Sequence, residues 1–511
     1  MDLKVDSKKQ IKTASLLSYS TMILQIFTSV LTTPYIVNRI GDANYGVYKV
    51  IASFVAYMTV LNFGLGTAAL RYLSEYRIKK EKEKEKRLLC FVNKMNFIIS
   101  GVVLILGVML FALIPKIFGK SMSENEVVLA QRLFVILLVN IVVSIFTDKY
   151  VGIINAYEEF IFVKMLDVLR CISKIVLIFS VLYFVQSAVA LTLIDLVLNL
   201  IIMISDKVYC IRNIGIELNG KYKFGKSDLK EYSDFLVYAM GIFTTMIINQ
   251  LLWNVDSVVI GMRLGPVQSA IYAVGTTFSS SFFNASIIIT NMLLPKVVRM
   301  QESGADENEY TKFTTKVARI QAYIIFYMYI AFIVYGKEFI YLWMGENYGN
   351  AWSTALLVMS GTLFSSFVIT VQVILRARKK QAVYNWVHLI IFSLNAIFTY
   401  YAVGYLGING AALMTFFTYL FGYVFIMYPY YCKIIKVNIP KVFWGLIKGI
   451  VPAGIFIGIL SYVICMLLPV SWFSLIIGIL IYTLLYVVIM YFIMNQYERD
   501  TIKDVINRLK K

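Results

Sequence analysis

Long apolar runs without any charge alternate with short basic stretches along the whole chain. Four runs reach the roughly 20 residues that an α-helix needs to cross a hydrocarbon core: 13–38, 50–70, 95–115 and 235–255. Residues 381–432 and 449–497 contain no Asp, Glu, Lys or Arg, and each segment is long enough for two crossings. Because a backbone in lipid must satisfy its own hydrogen bonds, these runs are predicted to be transmembrane helices.

Charges and Gly/Pro turns divide the chain into about fourteen predicted transmembrane helices. Their spans are 13–38, 48–70, 92–114, 127–147, 163–185, 188–208, 233–258, 267–294, 314–335, 352–374, 383–403, 409–431, 447–468 and 472–494. Pro34 is expected to break the first helix near its outer end, because proline removes a backbone hydrogen bond. Gly404, Gly407 and Gly410 are expected to form the outer turn before the twelfth helix.

The distribution of basic residues predicts the orientation in the membrane. With the N-terminus inside, all but seven of the 48 Lys and Arg residues fall in cytoplasmic segments or at the inner ends of helices. This asymmetry predicts a multi-pass protein of the cell membrane with both termini cytoplasmic. The first run is expected to be a retained helix, because it is too long for a signal peptide and ends without a small-residue cleavage site.

Composition agrees with a membrane protein and narrows the chemistry. The 511 residues are 59% hydrophobic and 15% charged, whereas soluble chains are about 25% charged. Orientation and attraction to anionic lipid account for the net charge of +19, so no nucleic-acid partner is expected. The five cysteines share no metal-ligand spacing. Neither a metal site nor a cofactor is predicted.

An internal repeat is the most specific feature of the sequence. Residues 39–50 and 263–274 share Arg, Gly, Tyr and Val at a fixed offset of 224 residues, and each copy lies at the predicted outer turn between the first two helices of its half. Six helices separate the copies, so the two halves have the same orientation, as in transporters built from parallel repeats. Such transporters bind substrate between their halves and rock them for alternating access.

The repeat predicts how the chain is divided. The fold class is an all-α integral membrane protein, with two six-helix bundles related by pseudo-two-fold symmetry and two further C-terminal helices. The predicted segments are an N-terminal lobe, a basic cytoplasmic linker, a C-terminal lobe, and a final segment with two helices and an amphipathic basic tail. Their bounds are 1–208, 209–231, 232–432 and 433–511.

Several short motifs resemble the multidrug/oligosaccharidyl-lipid/polysaccharide (MOP) exporter superfamily, and within it the Wzx-type polysaccharide flippases. The similar segments are 40–48, 62–66, 70–75, 256–261, 264–272, 336–340 and 344–348. The resemblance implies an undecaprenyl-pyrophosphate-linked oligosaccharide as substrate, moved from the inner to the outer leaflet for surface polysaccharide synthesis. A monovalent coupling ion and a polysaccharide polymerase are further candidate partners, beside the lipid bilayer itself.

Basic residues at membrane depth are the candidates for binding an anionic headgroup, because arginine and lysine suit phosphate oxygens. The candidates are Arg39, Lys49, Arg132, Lys174 and Arg263. Snorkelling to lipid headgroups is the competing interpretation for each of them. Arg71 and Arg170 are also near the membrane, but they equally serve the positive-inside pattern.

Two acidic residues, Asp195 and Asp256, are candidates for ion coupling or gating, because an acid inside a membrane is expensive unless it has a function. Asp256 is expected to pair with Arg263 or Arg39, whereas Asp195 has no local partner in the sequence. A structural ion pair or a solvated helix end is the competing interpretation for Asp256.

Three other functions stay open from the sequence. A flippase for the lipid-linked peptidoglycan precursor shares the fourteen-helix plan. A cation-coupled multidrug exporter is less favoured, because the first helix has no acid between Lys12 and Arg39. A multipass glycosyltransferase or polymerase is less favoured still: the outer loops are short, no D-x-D occurs, and the sole histidine, His388, lies in a predicted helix. The chain is therefore predicted not to be an enzyme.

The predicted orientation can be tested by cysteine labelling in intact cells. Cysteines introduced at Asn347 and Gly407 should react with an impermeant maleimide, because both positions lie on predicted outer turns. Cysteines at Lys84 and Asp306 should react only after the cells are permeabilised. The opposite labelling pattern would place the N-terminus outside.

Overall fold

The computed structural model of the protein describes residues 7–216, 232–291, 293–378 and 380–500. Within these ranges the chain is helical almost throughout and contains no β-strand. Each of the fourteen predicted spans overlaps a helix. The predicted all-α class is confirmed. Two compact units, Met1–Ala270 and Ile271–Lys511, divide the chain. The lobe and linker bounds drawn from the repeat stay a prediction.

The first unit consists of nine described helices and the start of a tenth. They are α1 (Ser7–Ile40), α2 (Asp42–Ala56), α3 (Leu65–Ile78), α4 (Lys82–Phe118), α5 (Glu124–Ala156), α6 (Phe160–Phe184), α7 (Ala188–Arg212), α8 (Ser233–Trp253), α9 (Val255–Leu264) and α10 (Pro266–Asn291). A 3₁₀ segment, Tyr57–Asn62, joins α2 to α3. Helix α1 packs along α6, and α5 packs against both α3 and α7.

The break expected at Pro34 is wrong. Helix α1 continues through Pro34 to Ile40, and the amide of Gly41 still donates to the carbonyl of Val37 over 2.8 Å. A proline removes one hydrogen bond, and helices in membranes tolerate this where neighbouring helices pack against them. The long contact between α1 and α6 supplies that support here.

The repeated segments fold into the same kind of turn. Gly41 separates α1 from α2 with φ 83° and ψ 156°, and Gly265 separates α9 from α10 with φ 87° and ψ 179°. This backbone region is essentially restricted to glycine. The glycines shared by the two repeat copies are therefore required by backbone conformation. Gly345 and Gly407, at two other helix junctions, also have positive φ, of 90° and 60°.

Small residues allow close helix contacts inside the first unit. A Cβ atom on Gly46 would lie 1.9 Å from the carbonyl oxygen of Pro266, and one on Gly261 would lie 2.5 Å from the side chain of Val50. Close approach through glycine is a common way for helices to associate in membranes. The first repeat turn is thereby packed directly against the segment that contains the second.

The second unit begins within α10 and contains eight further helices. They are α11 (Leu294–Glu302), α12 (Glu307–Met344), α13 (Asn350–Ser366), α14 (Ile369–Ala377), α15 (Gln381–Phe421), α16 (Ile439–Ile447), α17 (Ile450–Leu467) and α18 (Trp472–Ile493). Helix α15 is kinked at Gly407 and continues through π-helical turns to Ile435. The kink coincides with the predicted outer turn. Helix α12 packs against α16, α17 and α18.

A buried ion pair anchors the end of the described chain to the second unit. The Nε atom of Arg319 lies 2.5 Å from Oε1 of Glu498, and the Nη1 atom donates to the carbonyl of Gly445 over 2.5 Å. The hydroxyl of Tyr323 also donates to Glu498 over 2.8 Å. Burial disfavours the charged carboxylate, but the hydrogen bonds from Arg319, the Asn495 amide and Tyr323 hold the pKa of Glu498 below its ordinary value.

Ten described helices, or eleven if one bent pair counts as a single span, are long and apolar enough to cross a membrane. The bent pair joins Glu346–Ser366 to Ile369–Ala377 at an angle of 44°. The segment Gln381–Ile435 is 55 residues long and holds the kink at Gly407. The multi-pass architecture is therefore established, while the count of fourteen spans stays a prediction.

The conformation of Gly41 gives a direct test of the repeat turn. Replacing Gly41 by Ala should destabilise the protein by about 1–3 kcal/mol, because φ and ψ there are accessible only to glycine. No atom lies within 4 Å of the added Cβ, so the effect comes from the backbone alone. Thermal unfolding in detergent, followed by tryptophan fluorescence, measures it.

Gly101→Ala is the matched control. Gly101 lies in α4, and its added Cβ also meets nothing within 4 Å. Alanine is favoured over glycine in a helix, so this variant should unfold at the same temperature as the parent or slightly above it. Equal unfolding temperatures for Gly41→Ala and Gly101→Ala would show that the turn tolerates an ordinary residue.

Candidate functional site

A polar stripe runs along one face of α1. Its residues recur every three or four positions, which places them on the same side of a helix: Gln25, Thr28, Ser29, Thr32 and Thr33. Thr28, Thr32 and Thr33 donate their hydroxyl hydrogens to carbonyls four residues earlier, each over 2.7 Å. The hydroxyl oxygens keep lone pairs that can accept hydrogen bonds from a ligand or from water.

This stripe forms one wall of a cavity of about 370 Å³ inside the first unit. Helix α2 contributes Tyr45, Tyr48 and Lys49, and α7 contributes Leu191. Helix α6 contributes a face with the same spacing: Asp167, Arg170, Cys171, Lys174 and Ile178. We call this space the polar cavity. It brings three cations, Lys49, Arg170 and Lys174, to one site.

One of these cations is neutralised within the protein. The Nζ atom of Lys174 on α6 lies 2.6 Å from Oδ1 of Asp195 on α7. Asp195 has no local partner in the sequence, and in the structure its partner comes from the neighbouring helix, because the turn between α6 and α7 brings the two residues together. Asp167 is likewise paired, with Lys164 at 2.9 Å on the same helix.

The other two cations have no acidic partner. Among the described residues, no carboxylate lies within 4 Å of Lys49 or of Arg170. The Nζ atom of Lys49 lies 5.2 Å from the ring centre of Tyr45 and 5.8 Å from that of Tyr48. Aromatic rings attract a cation only weakly, by about 0.5–2 kcal/mol. The polar cavity therefore has a net positive charge.

The remaining predicted residues lie elsewhere in the first unit. Arg39 is placed 5.4 Å from the rings of both Tyr35 and Tyr183. Arg132 and Arg263 are exposed, and Asp256 is buried. None of these four described residues lines the polar cavity. The structure thus brings together Lys49, Lys174 and Asp195 from the predicted set, and the roles of the other four stay predictions.

Sequence reasoning missed two features of the polar cavity and one buried acid outside its lining. Arg170 was assigned to the positive-inside pattern, although its spacing to Asp167 and Lys174 places it on their helical face. The hydroxyl-bearing residues of α1 also recur at intervals of three and four positions, which is the pattern of a single helix face. Asp206 on α7 is 1% exposed, and its carboxylate oxygens have no hydrogen-bond partner among the described residues.

The lining of the polar cavity offers hydroxyl groups and cations that can bind an anionic or hydroxyl-rich ligand. The described lining contains no histidine, and its one cysteine, Cys171, lies on α6 between Arg170 and Lys174. In the described part of the chain, no group of three or more His, Cys, Asp or Glu is arranged to hold a metal. The sole histidine, His388, is buried in the second unit, with Nε2 3.2 Å from the hydroxyl of Tyr423.

Known structures share this fold. The inward closed conformation of lipid II flippase MurJ superposes with a TM-score of 0.74 at 17% identity, covering 96% of this chain and 99% of that one. An inward-facing multidrug resistance MATE family transporter gives 0.58 at 15% identity, covering 83% and 98%. A MOP superfamily transporter from Pyrococcus furiosus gives 0.56 at 15% identity, covering 87% and 96%. At these identities, the likeness establishes the fold.

A comparison with curated proteins gives no significant match. A protein-family model described as "Polysaccharide biosynthesis protein" matches residues 11–301, which is more than half of the 511 residues. The predicted resemblance is confirmed. The chain belongs to the polysaccharide biosynthesis protein family and has the fold of MOP superfamily transporters.

Proposed function

We propose that this protein is a flippase that moves an undecaprenyl-pyrophosphate-linked oligosaccharide from the inner to the outer leaflet by alternating access. The observation that carries the proposal is the pair of unneutralised cations, Lys49 and Arg170, in a cavity lined by the hydroxyl groups of α1. Membership of the polysaccharide biosynthesis protein family supports it. The family and its structural neighbours are transporters or flippases, which argues against an enzyme.

The central physical problem for such a flippase is the diphosphate. An ionised group in hydrocarbon is prohibitively unstable unless it is paired or hydrated. Lys49 and Arg170 offer two positive charges without an acidic partner, which matches a diphosphate of about two negative charges. The planar guanidinium of Arg170 adds the two-pronged geometry that phosphate oxygens accept.

The glycan presents a different requirement. A sugar carries many hydroxyl groups, and each one that leaves water needs a hydrogen-bond partner. The stripe of Gln25, Thr28, Ser29, Thr32 and Thr33 supplies acceptors along one wall of the polar cavity. A surface of this kind accommodates sugars without fixing one identity, because hydroxyl groups both donate and accept.

A cation-coupled drug exporter is less favoured by the same cavity. A site for cationic drugs requires acidic residues that face the ligand, and here the two nearby acids are occupied. Asp167 is paired with Lys164, and Asp195 is paired with Lys174. A cationic drug would meet Lys49 and Arg170 instead, and like charges repel.

A flippase for the lipid-linked peptidoglycan precursor is the second candidate. The fold shared with the lipid II flippase over 96% of the chain favours it. The peptidoglycan precursor contains the same polyprenyl diphosphate as the proposed oligosaccharide substrate. The polar cavity therefore does not distinguish between the two candidate functions. The lipid that accumulates when the gene is deleted does separate them, because its sugars identify the blocked pathway.

The polar cavity cations can be tested by complementation of a deletion strain. Lys49→Gln and Arg170→Gln should each reduce export about tenfold or more, since a hydrogen bond to a charged group contributes about 1.5–3 kcal/mol and about 1.4 kcal/mol is tenfold. Mass analysis of the accumulated lipid-linked oligosaccharide measures export, and immunoblotting checks protein level.

Lys84→Gln is the matched control, because Lys84 is an exposed residue with the same change in charge. It should export normally. Normal export by both cavity variants at normal protein level would show that the polar cavity is not part of the transport path. Arg170→Lys should retain part of the activity, because it keeps the charge and loses only the planar geometry.

Recognition of the head charge can be measured on the purified protein. Polyprenyl pyrophosphate should raise the thermal unfolding temperature more than the same polyprenyl alcohol does, because only the pyrophosphate engages Lys49 and Arg170. The difference should shrink in the double variant Lys49→Gln/Arg170→Gln. Equal stabilisation by the alcohol and the pyrophosphate would mean that the protein does not recognise the charge of the headgroup.

A further inference from the structure

A second cavity lies in the other unit, at one end of its helices. It has a volume of about 360 Å³ and is lined by the first part of α12, by α16, and by the residues that follow α18. Three lysines line it: Lys312 and Lys316 on α12, and Lys441 on α16. We call this space the lysine cavity.

The surrounding helices place the lysine cavity at the boundary between lipid and water. Helix α18 has 22 residues without a charge, about the length that crosses a hydrocarbon core. Asn495 and Tyr497, which line the cavity, follow the end of this helix at Ile493. The sequence predicts this face of the membrane to be cytoplasmic.

Helix α16 has the character of a helix that lies at a membrane surface. Its buried face consists of Ile439, Val442 and Leu446. The opposite side exposes Trp444, of which 65% is accessible. An exposed tryptophan beside lysines is typical of the interfacial zone, where its ring meets the acyl chains and the lysines meet the headgroups.

The lysines of this cavity are not neutralised by the protein. The acid among the lining residues, Glu498, is engaged by Arg319 through two hydrogen bonds of 2.5 and 3.2 Å. In the described part of the chain, no carboxylate lies within 4 Å of the lysine side chains. Lys316 lies 4.4 Å from the ring of Tyr497, which orients its ammonium group without cancelling its charge.

From this arrangement we propose that the lysine cavity binds the phosphate headgroup of an anionic membrane lipid, with Trp444 packed beside its glycerol and upper acyl chains. The three unneutralised lysines complement the negative charge of a phosphodiester. Each lysine is attracted to an anionic lipid surface when it lies within a Debye length of that surface. The exposed apolar side chain of Trp444 distinguishes a lipid from a soluble anion, because a soluble anion has no acyl chains to contact it. The bound lipid stabilises the junction that Arg319 and Glu498 form. The lining residues of the lysine cavity differ from those of the polar cavity.

The test uses the purified full-length protein in detergent, supplemented with phosphatidylglycerol or with phosphatidylcholine. Phosphatidylglycerol should raise the thermal unfolding temperature more than phosphatidylcholine does, by ligand linkage. The triple variant Lys312→Gln/Lys316→Gln/Lys441→Gln should lose most of that difference. The control triple variant Lys80→Gln/Lys82→Gln/Lys84→Gln, which removes the same charge from exposed positions, should keep it.

A second readout does not depend on stability. Phosphatidylglycerol with brominated acyl chains should quench tryptophan fluorescence more than brominated phosphatidylcholine does, and Trp444→Phe should remove the excess quenching. The proposal is overturned if the lysine triple variant keeps the full thermal difference, or if both triple variants lose it equally. It is also overturned if glycerol 3-phosphate alone gives the whole shift, because the ligand would then be a soluble anion.

Discussion

A cation in hydrocarbon must be paired with a counter-ion, hydrated or bound to a ligand. This constraint determines how the charges of the polar cavity are arranged. Lys174 meets Asp195 at 2.6 Å, whereas Lys49 and Arg170 meet no carboxylate in the described structure. Two cations without an acidic partner are stable in hydrocarbon only if the space around them is hydrated or filled by an anion. The hydroxyl-bearing face of α1 provides the polar wall that such a hydrated space requires. The charges of Lys49 and Arg170 therefore require a polar lining, and α1 supplies it.

The position of Lys49 depends on the repeat turn. Helix α2 starts directly after Gly41, whose positive φ sets the direction in which the helix leaves the turn. Gly46 then allows α2 to approach the carbonyl of Pro266 so closely that no other residue fits. Tyr45 and Tyr48, which flank Lys49 in the cavity, belong to the same turns of α2. The residues that make the repeat recognisable in the sequence thus also hold one cation of the site in place.

The sequence predicted features that depend on local pattern and missed those that depend on packing. Apolar runs identified the helices, and glycine spacing identified the turn at Gly407. The continuity of α1 through Pro34 was not predictable, because it rests on contact with α6. The pairing of Lys174 with Asp195 joins two helices, and no local pattern encodes it. The importance of Arg170 for the polar cavity was underestimated, because the positive-inside pattern considers only where a basic residue lies along the chain and not which helix face it occupies.

Under the proposed flippase function, the ion pair between Lys174 and Asp195 would bear on release of the substrate as well as on its binding. A transporter must bind its cargo strongly enough to admit it and weakly enough to let it leave. If Lys174 were also free, three cations would hold a diphosphate of about two charges, and release would slow. Asp195 pairs with Lys174, which still lines the cavity, so Lys49 and Arg170 are the lining cations without an acidic partner in the described structure. We infer that Asp195 balances the electrostatics of the site, and that its carboxylate competes with the phosphate for Lys174.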